Sequence, residues 1–552
     1  MNSLLIVNLK RFGDVYTTAH LVQSIKSQNP HCKIGMVVFS EFEQAAKNIN
    51  DIDEVYTLSR KRISSLLKNK IFNNAKALEE VHDFAQRITR GNWTELFNMS
   101  NDFFGTYFCS YLKEREPRLA IYGTTVNRNK TVNFSNEFAT IFNDVITNRE
   151  NSPLHFQDCY HSILGVSRTE SSAKLNLSPR YDELAKTQIE QLKKTAGENS
   201  RVIAIQLKTS DVNKELPYLT MRNLIAFLKE DQTIVPLILF APIQEERELA
   251  ASINKEFGNS LITVEADLAA VGSVLNNVDL LVTPDTVVKH IADLAGTRVL
   301  EISLGPSPFL KQGPVTTGSA IITDRISDRN FKVSHYKTNI IKTRIKAKDV
   351  YEAVKFMIND GYIPSMDKGL SLYVSQQDSM GTRYDIVAGD VPWNKEIDRI
   401  ASRYYIGETT RRFKLEEIKS SITNFPTEAR KNWSNGQKER AAAILKDLLS
   451  TLRMLAKMKN NTNAAGEFIG SLDKLLNHCA GDDLMALPVL FFRARVENIQ
   501  ATDRKDSMNQ TEKLLYELKS HIQKAYDVCK TVEADKATVV NTNNTVTNGY
   551  TL

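Results

Sequence analysis

The chain has 552 residues, 42% of them apolar and 25% charged, with a net charge of +6 at pH 7. That length has room for roughly three domain-sized units, and no run approaches the roughly 18 apolar residues a membrane span takes, so an integral membrane protein is not expected. The charge is mild for the length, zinc-finger and RNA-binding signatures are missing, and Cys32, Cys109, Cys159, Cys479 and Cys529 form no C-x-x-C pair; nucleic acid and a bound metal are therefore not expected, and the thiols fit a reducing compartment.

Met1 to Leu9 lacks a basic n-region and a long h-region, which leaves a cytoplasmic location as the default. Leu4 to Asn8 (LLIVN) reads as a buried strand, followed by the turn Leu9 to Val15 (LKRFGDV) and a helix from Tyr16 to Ser27 ended by Pro30. Strands at Ile34 to Val38, Glu54 to Leu58, Leu96 to Asn98 and Leu119 to Tyr122 follow, with a helix at Glu41 to Asn48 after the first of them. Alternating strand and helix means a parallel sheet with right-handed crossovers. Phe134 to Ile146 and Phe156 to Leu164 read as helices, and the polar stretch Ser167 to Pro179 marks a boundary.

The pattern then restarts. A helix at Tyr181 to Lys194 leads to strands Val202 to Gln206, Val235 to Phe240 and Leu261 to Val264, with helices Met221 to Leu228 and Gln244 to Phe257 between them. The stretch from Val278 to Pro314 completes this half as strand, tight turn, helix and strand. Its apolar run breaks at Thr283-Pro284-Asp285-Thr286, and Val288, Ile291, Ala292 and Ala295 then repeat at helical spacing up to Gly296. Asp285 and Thr286 are good N-cap residues, and the helix start they open offers free backbone N–H groups and the positive end of the macrodipole. Such a turn beyond a parallel strand is a seat for an anion, although the two residues can equally do no more than cap. Two doubly wound halves in sequence place their strand ends across a cleft.

Beyond Asp349 the alternation stops. Val350 to Ile358 is a helix, and Leu370 to Val374 and Tyr384 to Val387 read as short strands. The rest is helical: Trp393 to Tyr404, Lys438 to Met458, Gly466 to Cys479, Leu484 to Ile499 and Glu512 to Lys530. Ala534 to Leu552 is rich in Asn, Thr and Val without period and reads as a disordered tail. The expected division is residues 1–170, 171–348, 349–533 and 534–552.

Four stretches together resemble glycosyltransferase family 9, the heptosyltransferases of lipopolysaccharide synthesis, over about residues 1–340. LLIVNLKRFGDVYTTAHLVQSIKSQNP is similar to the family's opening strand and G-D turn, and LFNMSNDFFGTYFCSYL (Leu96 to Leu112) to the strand and helix later in that domain. LKTSDVNKELP (Leu207 to Pro217) resembles its Thr-Thr, Lys, Pro loop, and VTPDTVVKH (Val282 to His290) its D-T-G-x-x-H turn. The resemblance does not extend to the helical region.

The resemblance implies a GT-B fold, with an N-terminal acceptor domain and a C-terminal donor domain, and an inverting transfer from ADP-heptose to a sugar hydroxyl. It implies that Thr209, Ser210, Lys214, Asp285, Thr286, Val287 and His290 bind the donor phosphates. Glu245 or Glu246 would hold the ribose, Asp14 would be the general base, and Lys10 and Arg11 would meet an acidic acceptor. No cofactor beyond the nucleotide sugar is implied. Physical chemistry supports the phosphate roles, because ADP leaves with growing negative charge and needs preorganised donors. Plainer readings stay open: Lys214, Lys10 and Arg11 as solvated loop cations, Glu245 and Glu246 as first-turn acids complementing the dipole, and His290 as a core histidine. Val287 departs from the family's glycine, and a branched side chain there restricts the approach of a phosphate. The competing function is a catalytically silent GT-B scaffold, favoured by Val287 and by the size of the helical region. Partners expected on the enzyme reading are a nucleotide-sugar donor and a glycan, glycolipid or protein acceptor, with self-association through the helical region. The basic segment Arg60 to Lys76 suggests peripheral contact with the inner membrane, or else an ordinary solvated helix.

Overall fold

The computed structural model describes residues 2–68, 71, 73–127, 130–146, 149–169, 175–197, 199–304, 308–324, 343–410, 420–421 and 425–534. The segment Ala534 to Leu552, expected to be disordered, lies outside these residues apart from Ala534. The chain forms two compact units, one of Met1–Thr125, Tyr160–Gln376 and Thr382–Asp390, the other of Val126–Cys159, Gln377–Gly381 and Val391–Leu552.

The first unit holds two sheets. One contains β1 (Ser3–Val7), β2 (Lys33–Phe39), β3 (Glu54–Leu58), β4 (Glu95–Asn98) and β5 (Ala120–Val126), in the order β3-β2-β1-β4-β5 with every pair parallel. Leu4, Leu5, Ile6 and Val7 are all fully buried, as a central strand covered on both faces requires. The helix Thr18–Gln28, expected as Tyr16 to Ser27, leads from β1 to β2, and the expected turn before it is itself helical over Phe12–Tyr16, with Thr17 between the two. A further short strand, β6 (Val132–Phe134), belongs to the other unit.

The second sheet contains β7 (Arg201–Gln206), β8 (Ile234–Phe240), β9 (Ile262–Glu265), β10 (Leu280–Pro284), β11 (Val299–Ser303), β12 (Ala320–Thr323), β13 (Ser371–Asp378) and β14 (Gly381–Gly389). Its order is β14-β13-β12-β11-β10-β7-β8-β9, parallel from β9 to β12 and antiparallel between β12 and β13. The strands expected near Leu370 and Tyr384 are thus longer than predicted and extend this sheet. The helix Ala347–Ile358 also joins its core, where Val350, Ala353 and Val354 are buried beside Ile203, Val282 and Leu372. The helix Val271–Leu275, which the periodicity does not show, lies just before β10. Two doubly wound sheets lining one cavity, described below, with a helical C-terminal region, are the GT-B class that the sequence implies.

The second unit is mainly helical. Helices Thr427–Asn460 and Arg504–Glu533 pack along each other in opposite directions, since Arg430 Nη1 donates to Val532 O at 2.8 Å while Lys459 Nζ meets Glu512 Oε2 at 2.6 Å. Among the described residues, Trp393–Thr410, Ala465–Leu476 and Ala486–Glu497 also belong to the bundle. The expected helix Phe134 to Ile146 is instead β6, a short helix Glu137–Thr140 and a π-helical turn Ile141–Ile146.

Candidate functional site

A sheet of this order opens a ligand crevice where the strand order reverses, beyond the carboxyl ends of its strands. In the second sheet that point lies between β7 and β10. Gln206 ends β7, and its Oε1 accepts from Thr283 Oγ1 at 2.8 Å and from Thr286 Oγ1 at 2.7 Å, tying the two strand ends together. In the first sheet the equivalent point lies between β1 and β4, where Leu9 N donates to Ser100 Oγ at 2.9 Å.

A cavity of about 660 Å³ is lined from both sheets. Lys10, Arg11 and Asp14 reach it after β1, and Thr209, Ser210 and Lys214 after β7. Glu246 stands at the start of the helix after β8, and Asp285, Thr286, Val287 and His290 at the start of the helix after β10. Glu245 is not among the lining residues. It is 74% exposed and pairs with Lys208 at 2.8 Å.

Asp285 and Thr286, expected to cap the helix Val287–Ala295, do not cap it through their side chains. Thr286 occupies the N-cap position with extended backbone, but its hydroxyl is taken by Gln206. The first turn therefore has no side-chain cap, and Thr286, Val287 and Val288 all lie on the cavity wall. At its other end the helix closes on Gly296, in the left-handed conformation at φ 77°.

The Asp285 carboxylate sits between two ammonium groups. Lys214 Nζ is 2.6 Å from Oδ2 and Lys289 Nζ is 2.6 Å from Oδ1. Lys289, on the helix after β10, also meets Glu301 Oε2, on β11, at 3.0 Å. Burial opposes the charge on Asp285, but the two lysines outweigh it and hold the carboxyl far below the usual range. Lys289, fully buried, is held charged despite burial by Asp285 and Glu301. Gln206 and Glu301 lie outside the family motifs, and Lys289 fills an unspecified position of the D-T-G-x-x-H turn; the signal for Lys289 and Glu301 is a charge on the apolar face of a helix and another inside an apolar strand, each of which needs a charged partner.

His290 is buried, and its pKa is pushed down to about 3, first by burial and then by the Lys289 charge, so its imidazole is neutral. Gly13 lies against that ring: a Cβ there would stand 3.0 Å from His290 Cδ2. The G-D turn of the first sheet and the histidine of the second thus meet at one wall. Asp14 is half-buried, and its Oδ2 accepts from Arg11 N at 3.3 Å. In the loop after β7, Thr209 Oγ1 donates to Asp211 O at 2.9 Å, Ser210 is exposed, and Glu246 Oε2 accepts from Ala241 N at 2.7 Å. Among the described residues, no group of three or more His, Cys, Asp or Glu is placed to hold a metal ion.

Within the basic segment Arg60 to Lys76, the helix Arg60–Leu67 has no buried residue, with Arg60 paired to Glu41 and Arg62 to Glu80; residues 69, 70 and 72 lie outside the described set. Among the described residues no helix is long and apolar enough to cross a membrane.

Residues 149–334 match the family model of Glycosyltransferase family 9 (heptosyltransferase). That segment is a glycosyltransferase family 9 domain. No match was found among the curated proteins. Among solved structures, the chain is similar to a glycosyl transferase family 9 protein from Veillonella parvula, with 15% identity, 65% of this chain and 97% of that one covered, and a TM-score of 0.48. It is also similar to ADP-heptose LPS heptosyltransferase II of E. coli, at 11% identity, 64% and 98% coverage and a TM-score of 0.44. For E. coli heptosyltransferase WaaC with ADP-2-deoxy-2-fluoro heptose the values are 16%, 54% and 88%, and 0.38. The family 9 match spans the second sheet from β7 to β12, which supplies the Lys214, Asp285 and His290 wall of the cavity.

Proposed function

We propose that the chain is an inverting glycosyltransferase that transfers a sugar from a nucleotide-sugar donor, ADP-heptose, to a hydroxyl of a lipopolysaccharide-type glycan, glycolipid or glycosylated protein. One observation carries the reading: a single cavity has a carboxylate, Asp14, on the wall from the first sheet and an ammonium, Lys214, beside an uncapped helix start on the wall from the second. The family description, heptosyltransferase, supports heptose as the sugar. In this reading the donor diphosphate lies against Lys214, Thr286 and the N–H groups of the first turn, with Thr209 and Ser210 at its edge and Glu246 toward the ribose. These groups stabilise the charge that develops as the bond from C1 to the diphosphate oxygen breaks. Asp14 takes the proton of the acceptor hydroxyl as its oxygen attacks C1 from the opposite face, so the proton ends on the carboxylate and the electron pair on ADP.

Lys10 and Arg11 would face acidic groups of the acceptor. The reading invokes no cofactor beyond the nucleotide sugar. It places the protein in a bacterial cytoplasm, with peripheral contact at the inner membrane through the Arg60 segment and self-association through the helical unit. The test is calorimetric titration with ADP, followed by mass spectrometry after incubation with ADP-heptose and a glycan extract. Binding of ADP and a heptose-sized mass increment on an acceptor are expected. ADP binding with no product from any nucleotide sugar would instead support a silent scaffold, to which Val287 and the helical unit lend weight.

A further inference from the structure

We propose that Lys289 is a positioning residue that keeps Asp285 compensated when Lys214 is handed to an anionic ligand. This rests on the reading of the cavity as a diphosphate seat. Lys214 and Asp285 line the cavity, whereas Lys289 and Glu301 do not, and Lys289 is 0% exposed. A ligand therefore cannot touch Lys289. Four charges alternate along one line: Lys214, Asp285, Lys289 and Glu301, each within 3.0 Å of the next.

The free energy of that line explains why a lysine is buried there. In the empty cavity Asp285 is shared between two ammonium groups, one on each oxygen. A diphosphate that draws Lys214 toward itself removes one of them. Asp285 is 6% exposed, so without a second partner it would become a desolvated carboxylate next to new negative charge, and that cost would be subtracted from ligand affinity. Lys289 removes the cost because it holds Oδ1 whether or not Lys214 stays on Oδ2. Glu301 in turn fixes the ammonium from the neighbouring strand. A structural role alone does not account for the arrangement, since well-packed apolar side chains in place of a buried ion pair are often neutral or stabilising.

The experiment compares the full-length wild type with Lys289→Met/Glu301→Leu, which exchanges the buried pair for apolar groups, and with the same chain carrying Asp285→Asn in addition. Thermal melting checks folding, and titrations with ADP and with inorganic pyrophosphate read the seat between pH 5 and 8. The charged groups that face Asp285 are Lys214 from the loop after β7, Lys289 on its own helix and Glu301 on β11, with the neutral His290 nearby. The folded double variant should bind ADP about tenfold more weakly or worse at pH 8, because Asp285 now keeps Lys214. Relative to wild type at each pH, its affinity should recover as pH falls toward the ordinary carboxylate range, where Asp285 takes a proton and lets Lys214 go. Asp285→Asn in that background should restore binding at pH 8. Unchanged affinity in the double variant overturns the proposal, and so does a loss that neither acid pH nor Asp285→Asn reverses, which would mark Lys289 as structural only. Wild type that binds pyrophosphate but not ADP would remove the nucleotide and leave the role of Lys289 to be read with pyrophosphate; wild type that binds neither removes both readings.

Discussion

Asp14 separates two roles on one substitution. Asp14→Asn is nearly isosteric and keeps an acceptor for Arg11 N, so the short helix Phe12–Tyr16 should remain intact. Turnover should fall by about a hundred to ten thousand fold, the usual worth of a general base, while ADP affinity stays within about twofold. Near-normal turnover by a folded variant would remove Asp14 as the base. Val287 lines the cavity at the first position of its helix. Val287→Gly should leave ADP affinity unchanged or tighten it while lowering stability by about 1 kcal/mol; a tenfold loss of affinity would show that the branched side chain is itself part of the ligand's wall. In the helical unit, Asp398 is buried, with Oδ1 accepting from Leu484 N at 2.9 Å and Trp433 Nε1 at 3.2 Å, while Oδ2 has no hydrogen-bond partner among the described residues. Burial, opposed by the Arg149 charge, pushes its pKa up to about 7. Between the unfolded value of about 4 and that folded value the native state holds the extra proton, so this group's stability is present below pH 4 and is lost as pH rises through 7. Asp398→Asn mimics the protonated form. Its melting temperature should exceed that of wild type by more at pH 8 than at pH 5, and a constant difference would show that Asp398 does not titrate in this range.

Among the elements, the helix Val287–Ala295 links the switch point of the second sheet to the turn after β1. Its apolar positions Val288, Ile291 and Ala292 are buried, as their spacing predicts. Its stop is legible in the same way, since Gly296 takes the left-handed conformation that favours glycine. A Cβ at Gly296 would meet nothing within 4 Å, so Gly296→Ala should cost only the backbone term of about 1 kcal/mol and leave ADP affinity as it was. A much larger loss in denaturant melts would point to crowding that the structure does not contain. The helix start is less legible. Thr286 is a favourable cap by residue type, yet the hydroxyl turns to Gln206, some 80 residues earlier in the chain, because β7 and β10 are adjacent strands.

At the scale of the whole chain, the end of strand and helix alternation near Asp349 does not coincide with the end of the second sheet. Val350, Ala353 and Val354 pack into its core, and β13 pairs with β12. A chain ended at Ile345 would lose all of these. At about 1.5 to 3 kcal/mol for each buried Val or Met side chain, Val350, Val354 and Met357 alone rival the whole stability of a typical domain. That truncated chain should show no cooperative thermal melt by circular dichroism; a soluble, cooperatively melting product that still binds ADP would show that β13, β14 and the helix before them are dispensable.

The sequence by itself determined the two doubly wound halves, the helical region that follows them and most of the positions brought to the cavity, because buried parallel strands must be apolar runs and the turns between them must carry the polar chemistry. The resemblance to family 9 singled out Lys10, Asp14, Lys214, Asp285 and His290 in advance, and each lies in a loop or first helical turn after a strand. Only the tertiary structure decided what those groups touch. Glu245 turns outward to Lys208, and the Asp285 carboxylate is divided between Lys214 and Lys289. Lys289 finds Glu301 because β10 and β11 place their carboxyl ends side by side. Periodicity reports which face of an element is buried, but the partner of a buried charge is set by strand order, and strand order is a property of the folded sheet.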